Sequence, residues 1–286
     1  MKSYDYVIVG AGIIGMAVAR ELKKKYPQST IIVLEKEKEV GEHSSGRNSG
    51  VLHSGFYYSA DSLKARFTVQ GNRRMKDFCR LHKVLINECQ KVVVAQTPEE
   101  VPVLDKLFER GKKNGVDVSI ISPEELKKID PNAKTIDKAL FSPTTATVDP
   151  AWVCKSLQEE LQSQGVHFSM ATRYLNSKGH TVFTSKGEIE AGYFINCAGL
   201  YADQIAQEWG MGKKYTIIPF KGIYLKYTGE DHPIRTNIYP VPNLKNPFLG
   251  VHFTITHDGH IKIGPTAIPA FWRENYQGWD NFKIDE

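Results

Sequence analysis

The sequence predicts an α/β chain: a doubly wound, Rossmann-like domain on a parallel sheet, interleaved with a second, β-rich domain of α+β character. Three observations predict it. A β-branched run at residues 4–9 leads through a glycine turn into helical spacing and then into a second β-branched run ending at Glu35. A further apolar run, residues 191–196, enters another small-residue turn at Cys197-Ala198-Gly199. From Ile217 the character changes to strands, aromatics and prolines, almost to the end.

Residues 4–9 alternate poorly, as a strand buried on both faces does. Residues 16–25 carry apolar side chains on one side and read as a helix, broken at Pro27-Gln28. Residues 30–34 complete a β-turn-α-β unit. Residues 41–55, rich in Gly, Ser and His, read as a loop. Residues 62–82 are helical with Ser62 as N-cap. Strands are expected within 84–95, and helices at 98–114 and 123–128, the latter capped by Ser122. Asp149-Pro150 opens a helix running to about residue 164, since Pro suits the first helical position. A hairpin is expected at 181–189 around Lys186-Gly187, then a buried strand at 191–196 and a helix at 201–209. Residues 1–85 and 145–212 are expected to form the doubly wound domain, and 86–144 and 213–286 the β-sheet domain.

The bulk numbers fit a folded chain of one large or two interleaved domains: 286 residues, 41% hydrophobic and 24% charged. The net charge of +5 is spread along the chain, so no nucleic-acid partner is expected. Cys79, Cys89, Cys154 and Cys197 form no CxxC pair and no zinc-like spacing with histidine; free thiols in a reducing compartment are expected, and no metal. The apolar stretch 7–19 is no signal peptide, because Asp5 precedes it and glycines interrupt it. A cytoplasmic location is expected, with peripheral contact with a membrane left open.

Gly10, Gly12 and Gly15 form GxGxxG between a strand and a helix, and Glu35 ends the next strand, 20 residues on. In that context the motif is strong evidence for a dinucleotide. Gly10 permits the tight turn, Gly12 lets a pyrophosphate approach the backbone, Gly15 lets helix and strand pack closely, and Ile14 lies at the helix N-terminus whose free N–H groups attract phosphate. Glu35 would accept ribose hydroxyls and repel a 2′-phosphate. Ser45, Arg47, Asn48, Ser49, Gly50 and Val51 follow closely, with Lys36 beside Glu35. Such a second polar loop suits the longer FAD better than NAD.

The segment Asn48-Ser49-Gly50-Val51-Leu52-His53-Ser54-Gly55-Phe56-Tyr57-Tyr58, followed by Ser62-Leu63-Lys64-Ala65, resembles the flavin-proximal loop of L-2-hydroxyglutarate dehydrogenases and oxidases. These belong to the D-amino-acid oxidase-like flavoproteins. Cys197-Ala198-Gly199-Leu200-Tyr201-Ala202-Asp203 resembles the family's second flavin-contacting turn. Ile218-Pro219-Phe220-Lys221-Gly222, Ile238-Tyr239-Pro240-Val241-Pro242, Pro247-Phe248-Leu249-Gly250-Val251-His252-Phe253 and Gly264-Pro265 resemble its substrate-domain strands. The resemblance implies FAD and oxidation of L-2-hydroxyglutarate to 2-oxoglutarate, a small dicarboxylate substrate. Arg47 and Lys221 stand where the family usually has His and Arg. Family members also continue beyond the position of Glu286, so the chain reads as a C-terminally truncated member.

Oxidising a 2-hydroxy acid needs a base for the hydroxyl proton and cations for the carboxylates. His53, in the flavin-proximal loop, is the first candidate base and His252 the second. Lys221 is the expected carboxylate clamp, with Tyr58, Tyr239 and Arg273 assisting. His43, His82 and His180 read as surface residues. The electron acceptor, oxygen or a quinone, is not set by the residues. An amine or amino-acid oxidase on the same fold and an inactive flavin-binding fragment are the competing readings.

Overall fold

The computed structural model describes residues 1–242 and 250–282. Pro247-Phe248-Leu249 of one motif and the terminal Ile284-Asp285-Glu286 lie outside them. The elements run β1 (Lys2–Val9), α1 (Ile13–Lys25), β2 (Ile31–Leu34), β3 (Val51–Leu52), α2 (Leu63–His82), β4 (Ile86–Asn87), β5 (Lys91–Val94) and α3 (Val101–Lys113). They continue with β6 (Ser119–Ile121), α4 (Pro123–Ile129), β7 (Ala139–Ser142), β8 (Ala146–Val148), α5 (Pro150–Ser163), β9 (His167–Ser169), β10 (Tyr174–Lys178) and β11 (Thr181–Thr184). The last are β12 (Gly187–Asn196), α6 (Ala202–Glu208), β13 (Phe220–Lys226), β14 (Asn237–Pro240), β15 (His252–Ile255) and β16 (Ile261–Pro269). No described helix is long and apolar enough to cross a membrane.

The chain divides into two compact units. Unit 1 comprises Met1–Asn48, Pro150–Pro219 and Ala270–Glu286; unit 2 comprises Ser49–Asp149 and Phe220–Pro269. The chain alternates between the units in five segments where four were read from the sequence, and the boundaries differ. Residues 49–85 belong to unit 2, because β3 pairs with β8 and Asn72 of α2 donates to the carbonyls of Leu52 and Thr144. Residues 270–286 belong to unit 1, where Arg273 pairs with Asp203 and Glu274 with Lys36.

In unit 1 the sheet order is β10-β11-β12-β1-β2-β9, with β12, β1, β2 and β9 parallel and β10 and β11 antiparallel additions. Ile31–Leu34 is buried at every position, as a central parallel strand requires. Val7, Val9, Ile32 and Leu34 meet Tyr174, Val182 and Ile205 in one core. Each such side chain contributes roughly 1.5–3 kcal/mol on burial. The strand expected to be buried, residues 191–196, is not: only Ala191 is buried in it, and Tyr193 is 66% exposed. On its outer face the Tyr193 ring stacks on Tyr6 at 5.3 Å and Tyr6 on Tyr26 at 6.2 Å.

In unit 2 a seven-stranded sheet runs β13-β16-β15-β14-β5-β7-β6, beside a small β3-β8-β4 sheet. Alternation sorts the side chains of β5. Val92 and Val94 join Leu126 of α4 on one face; Val93 joins Leu104 and Leu107 of α3 and Phe56 on the other. The helix caps are those read from the sequence. Ser62 Oγ accepts from Ala65 N, and Ser122 with Glu125 closes a capping box.

Candidate functional site

In unit 1 the strand β1 delivers the chain into the glycine turn. Gly10 has φ +107, and a Cβ there would stand 2.3 Å from the Cys197 carbonyl oxygen. A Cβ on Gly15 would stand 2.0 Å from the Gly10 oxygen. Both positions therefore require glycine. Helix α1 begins at Gly12 with no side-chain cap and no acidic residue in its first turn. Its N-terminus keeps its positive end for an anion, and Ile14 there is exposed.

Glu35, buried at the end of β2, accepts from Ala11 N at 2.8 Å through Oε2 and from Glu37 N at 3.0 Å through Oε1. A carboxylate has further lone pairs, so ribose hydroxyls can still be received. Ser45 Oγ accepts from Ile13 N at 3.0 Å and would lie 3.0 Å from a Cβ on Gly12, which closes the cradle from the loop side. On the other side Cys197 N donates to Val9 O, and Ala198 and Gly199 continue the turn, Gly199 at φ +55 with open space around it. This bare backbone cradle, with a buried carboxylate at the next strand end, fits the adenosine and pyrophosphate of FAD.

The rest of the predicted loop is dispersed. Arg47 Nε donates to Glu42 O, and its guanidinium lies 4.2 Å over the Tyr276 ring. Asn48 donates to the carbonyls of Ser44 and Ser45. Lys36 is tied to Glu37, His43 and Glu274, the last at 2.6 Å. Ser49, Gly50 and Val51 lie in unit 2, where Gly50 O accepts from Val148 N. His43, read as a surface residue, is instead half-buried, with Nδ1 2.7 Å from Tyr276 Oη; exposed His180 has Nδ1 2.9 Å from Ala191 O. Arg273 is not a substrate clamp here: it holds Asp203 bidentately at 2.6 and 2.9 Å. That contact holds the Asp203 carboxyl down at about 2.

Unit 2 contains a second constellation on the Val93 face of its sheet. Lys91 opens β5 two residues before Val93, and Val93 pairs with Tyr239. Since Ile238 pairs antiparallel with Phe253, the next pair is Tyr239 with His252; their rings stack at 3.7 Å. The loop after β3 brings His53 and Tyr57 to the same place. Lys91 Nζ lies 3.2 Å from His53 Nδ1, 3.8 Å from the Tyr239 ring centre and 5.4 Å from that of Tyr57. Tyr57 Oη is buried with no hydrogen-bond partner among the described residues.

The electrostatics of this cluster are set by burial without acids. Lys91 is 0% exposed, and desolvation pulls its amine down to about 7. Burial, then the Lys91 charge, holds His53 well below the usual imidazole range. Burial lowers His252 to about 4, although the Gly250 carbonyl facing Nδ1 at 2.7 Å works the other way. Burial raises the Tyr57 and Tyr239 phenols, so both stay protonated.

Of the residues expected to act on substrate, His53, Tyr239 and His252 are brought together. Lys221 is not among them. It pairs with Ile268 while His252 pairs with Gly264 on the same strand β16, two strands and four residues away, on the order of 15 Å. Tyr58 lies under Lys64, whose Nζ is 4.5 Å from its ring centre. Sequence reasoning missed Lys91 and Tyr57. The signal for Lys91 was available: one lysine opening an otherwise apolar Lys-Val-Val-Val strand.

The FAD dependent oxidoreductase (DAO) family matches residues 5–286. The chain is 41% identical over 295 residues to "L-2-hydroxyglutarate dehydrogenase, mitochondrial" of Nematostella vectensis, covering 96% of this chain and 64% of that protein. With the Homo sapiens protein of the same name the identity is 39%, over 98% of this chain and 64% of the relative. The chain thus spans slightly under two-thirds of the length of these relatives. Among solved structures, the L-alpha-glycerophosphate oxidase of Mycoplasma pneumoniae with FAD bound superposes with a TM-score of 0.85 at 26% identity, over 98% of this chain and 76% of that one. Glycine oxidase from Geobacillus kaustophilus gives a TM-score of 0.80 at 21% identity, over 94% and 72% of the two chains. The sequence match over nearly the whole chain, on a fold with the glycine cradle in place, makes this chain a member of the FAD-dependent oxidoreductase family.

Proposed function

We propose that the protein oxidises L-2-hydroxyglutarate to 2-oxoglutarate, using FAD held by the cradle of unit 1. Gly10, Gly12, Ile14 and Gly15 would receive the pyrophosphate, and Glu35 the ribose. Lys36, Ser45, Arg47, Asn48, Ser49, Gly50, Val51, Cys197, Ala198 and Gly199 are the remaining residues assigned to the cofactor. Bound FAD supplies the acceptor for the hydride that leaves the substrate Cα.

The observation that carries the reading is the carboxylate-free cluster His53, Lys91, Tyr239 and His252, in a chain whose relatives are named for this reaction. The hydroxyl proton of a 2-hydroxy acid needs a neutral imidazole. Both histidines are neutral at pH 7 by virtue of burial. His53 takes the base role in this reading. A proton arriving at His252 Nε2 would create an imidazolium whose Nδ1 faces only a carbonyl. Tyr239 and Tyr57 hold the aromatic walls against which the imidazoles are set. Lys221 and Tyr58 are left outside the reacting group.

The test is a visible spectrum of the purified protein followed by anaerobic addition of L-2-hydroxyglutarate. The expected result is a flavin band that bleaches with the L isomer. Bleaching by glycine or proline and not by L-2-hydroxyglutarate would replace this reading with an amino-acid oxidase; a protein that takes up no FAD would leave an inactive fragment.

A further inference from the structure

Lys91 has no packing reason to be a lysine. Its side chain fills a site with no exposure, opening a strand whose other residues are valines, and an apolar side chain of that length would fill it without the desolvation cost. The groups that face it are His53 from the loop after β3, Tyr57 beyond it, Tyr239 on β14, His252 on β15 and Cys89 just before β5, while Lys64 of α2 acts on His53. No carboxylate among the described residues pairs with it. It reaches no solvent, so it is no clamp for a substrate carboxylate. Among the described residues its amine has one polar neighbour at hydrogen-bond distance, His53 Nδ1. Among the described residues the His53 ring is hydrogen-bonded through Nδ1.

That geometry couples the two protonation states. An ammonium at Lys91 donates to Nδ1, which places the imidazole hydrogen on Nε2 and blocks it as a base. A neutral amine accepts from Nδ1–H, which leaves the Nε2 lone pair bare. We propose that Lys91 is the positioning residue of the reaction: it sets the tautomer of His53 and is the terminal store for the proton that His53 removes. This rests on the reading above that His53 is the base.

The step balances. The substrate O–H bond breaks and an N–H bond forms at His53 Nε2; the Nδ1–H bond breaks and an N–H bond forms at Lys91 Nζ. The O–H electron pair becomes the carbonyl π bond as the Cα–H pair leaves as hydride to the family's FAD. Magnitude favours the pair over His53 alone. Burial makes His53 a weak acceptor, whereas the Lys91 amine, at about 7, holds a proton near neutrality. His252 has a carbonyl at its Nδ1 and offers no such second acceptor.

The experiment uses the FAD-loaded protein and two readouts. The first is histidine side-chain 15N NMR, with the His53 signals assigned by their loss in His53→Asn. Between pH 6 and 8.5 the wild type is expected to pass from the Nε2–H to the Nδ1–H tautomer; Lys91→Met is expected to show no such passage, and Lys91→Arg to stay Nε2–H throughout. The second is anaerobic flavin reduction by L-2-hydroxyglutarate against pH. The wild-type rate is expected to rise through about pH 7, and both variants to lose that limb and about 30-fold in rate, less than the hundredfold or more expected on losing the base itself. A wild-type His53 whose tautomer ignores pH overturns the proposal, as does a Lys91→Met enzyme that keeps both the limb and the rate within twofold. The tautomer passage does not require turnover. If it occurs and L-2-hydroxyglutarate is not oxidised, the substrate reading fails and the Lys91 control of His53 stands. Lys91→Arg keeps the test open if Lys91→Met folds poorly.

Discussion

The two candidate sites are built by opposite means. The cradle of unit 1 is made of backbone and missing side chains: three glycines within six residues, a carboxylate at the next strand end, a serine ten residues later. The cluster of unit 2 is made of side chains from positions 53, 57, 91, 239 and 252, gathered by strand register and a single loop. A backbone site tolerates no Cβ where the chain must approach itself. A side-chain site tolerates shape change but is sensitive to each group's charge. The difference predicts how each will break.

The largest effect is expected in unit 1. Gly15→Ala places a Cβ 2.0 Å from a main-chain oxygen, which cannot move without distorting β1 and the start of α1. Overpacking of this kind costs about 3 kcal/mol or more. The expected outcome is a protein purified without flavin and with a lowered melting temperature. Gly71→Ala, on α2 with open space around it, is the control and should melt no lower than wild type. Retention of flavin by Gly15→Ala would show that α1 can shift, and the contrast between the sites would weaken.

A smaller and purely chemical effect is expected in unit 2. His53→Asn removes the proposed base and keeps a polar side chain in the loop. Flavin content should be unchanged, while the rate of flavin reduction by substrate should fall roughly 100-fold, or about 2.7 kcal/mol. His252→Asn, which loses the stack on Tyr239 and no proton relay, should fall less. The reverse ranking would move the base to His252.

This contrast also explains what could be read in advance. GxGxxG followed by Glu35 is a local pattern, and each of its residues has a backbone reason to be where it is. The Ser62 and Ser122 caps were legible for the same reason: a cap is decided within three residues. The exposure of Tyr193 was not legible, because an apolar β-run does not say whether a helix covers its outer face. Nor was the alliance of Arg273 with Asp203, 70 positions away. An arginine near the end of the chain reads as a free cation until the fold supplies its partner. Lys221 and Lys91 exchanged importance for a similar reason. Lys221 lies in a recognisable motif but far from the histidines along β16, whereas Lys91 lies in no motif and within hydrogen-bond distance of His53. Motif membership marks the strand; register decides which side chains meet.

The smallest effect sharpens the comparison by thermodynamics alone. Burial lowers the Lys91 amine from 10.5 to about 7 in the folded chain. Between these values the unfolded chain holds a proton that the folded chain lacks, so stability rises with pH across that window and the burden is greatest below about 7. Lys91 should contribute a gain of about 2 kcal/mol from pH 7 to pH 9 in the wild type by that linkage. In Lys91→Met that contribution should be absent, and the variant should be the more stable of the two at pH 7, because an apolar side chain then occupies the same space. Denaturant unfolding of both proteins at the two pH values measures it. Asp203 does not interfere, because its carboxyl, held at about 2, stays ionised in both states over this range. Equal pH slopes for the two proteins would mean that Lys91 keeps an ordinary amine in the folded state. The basic cluster would then be a permanently charged anchor and not a proton store, and the two sites would differ in construction without differing in chemistry.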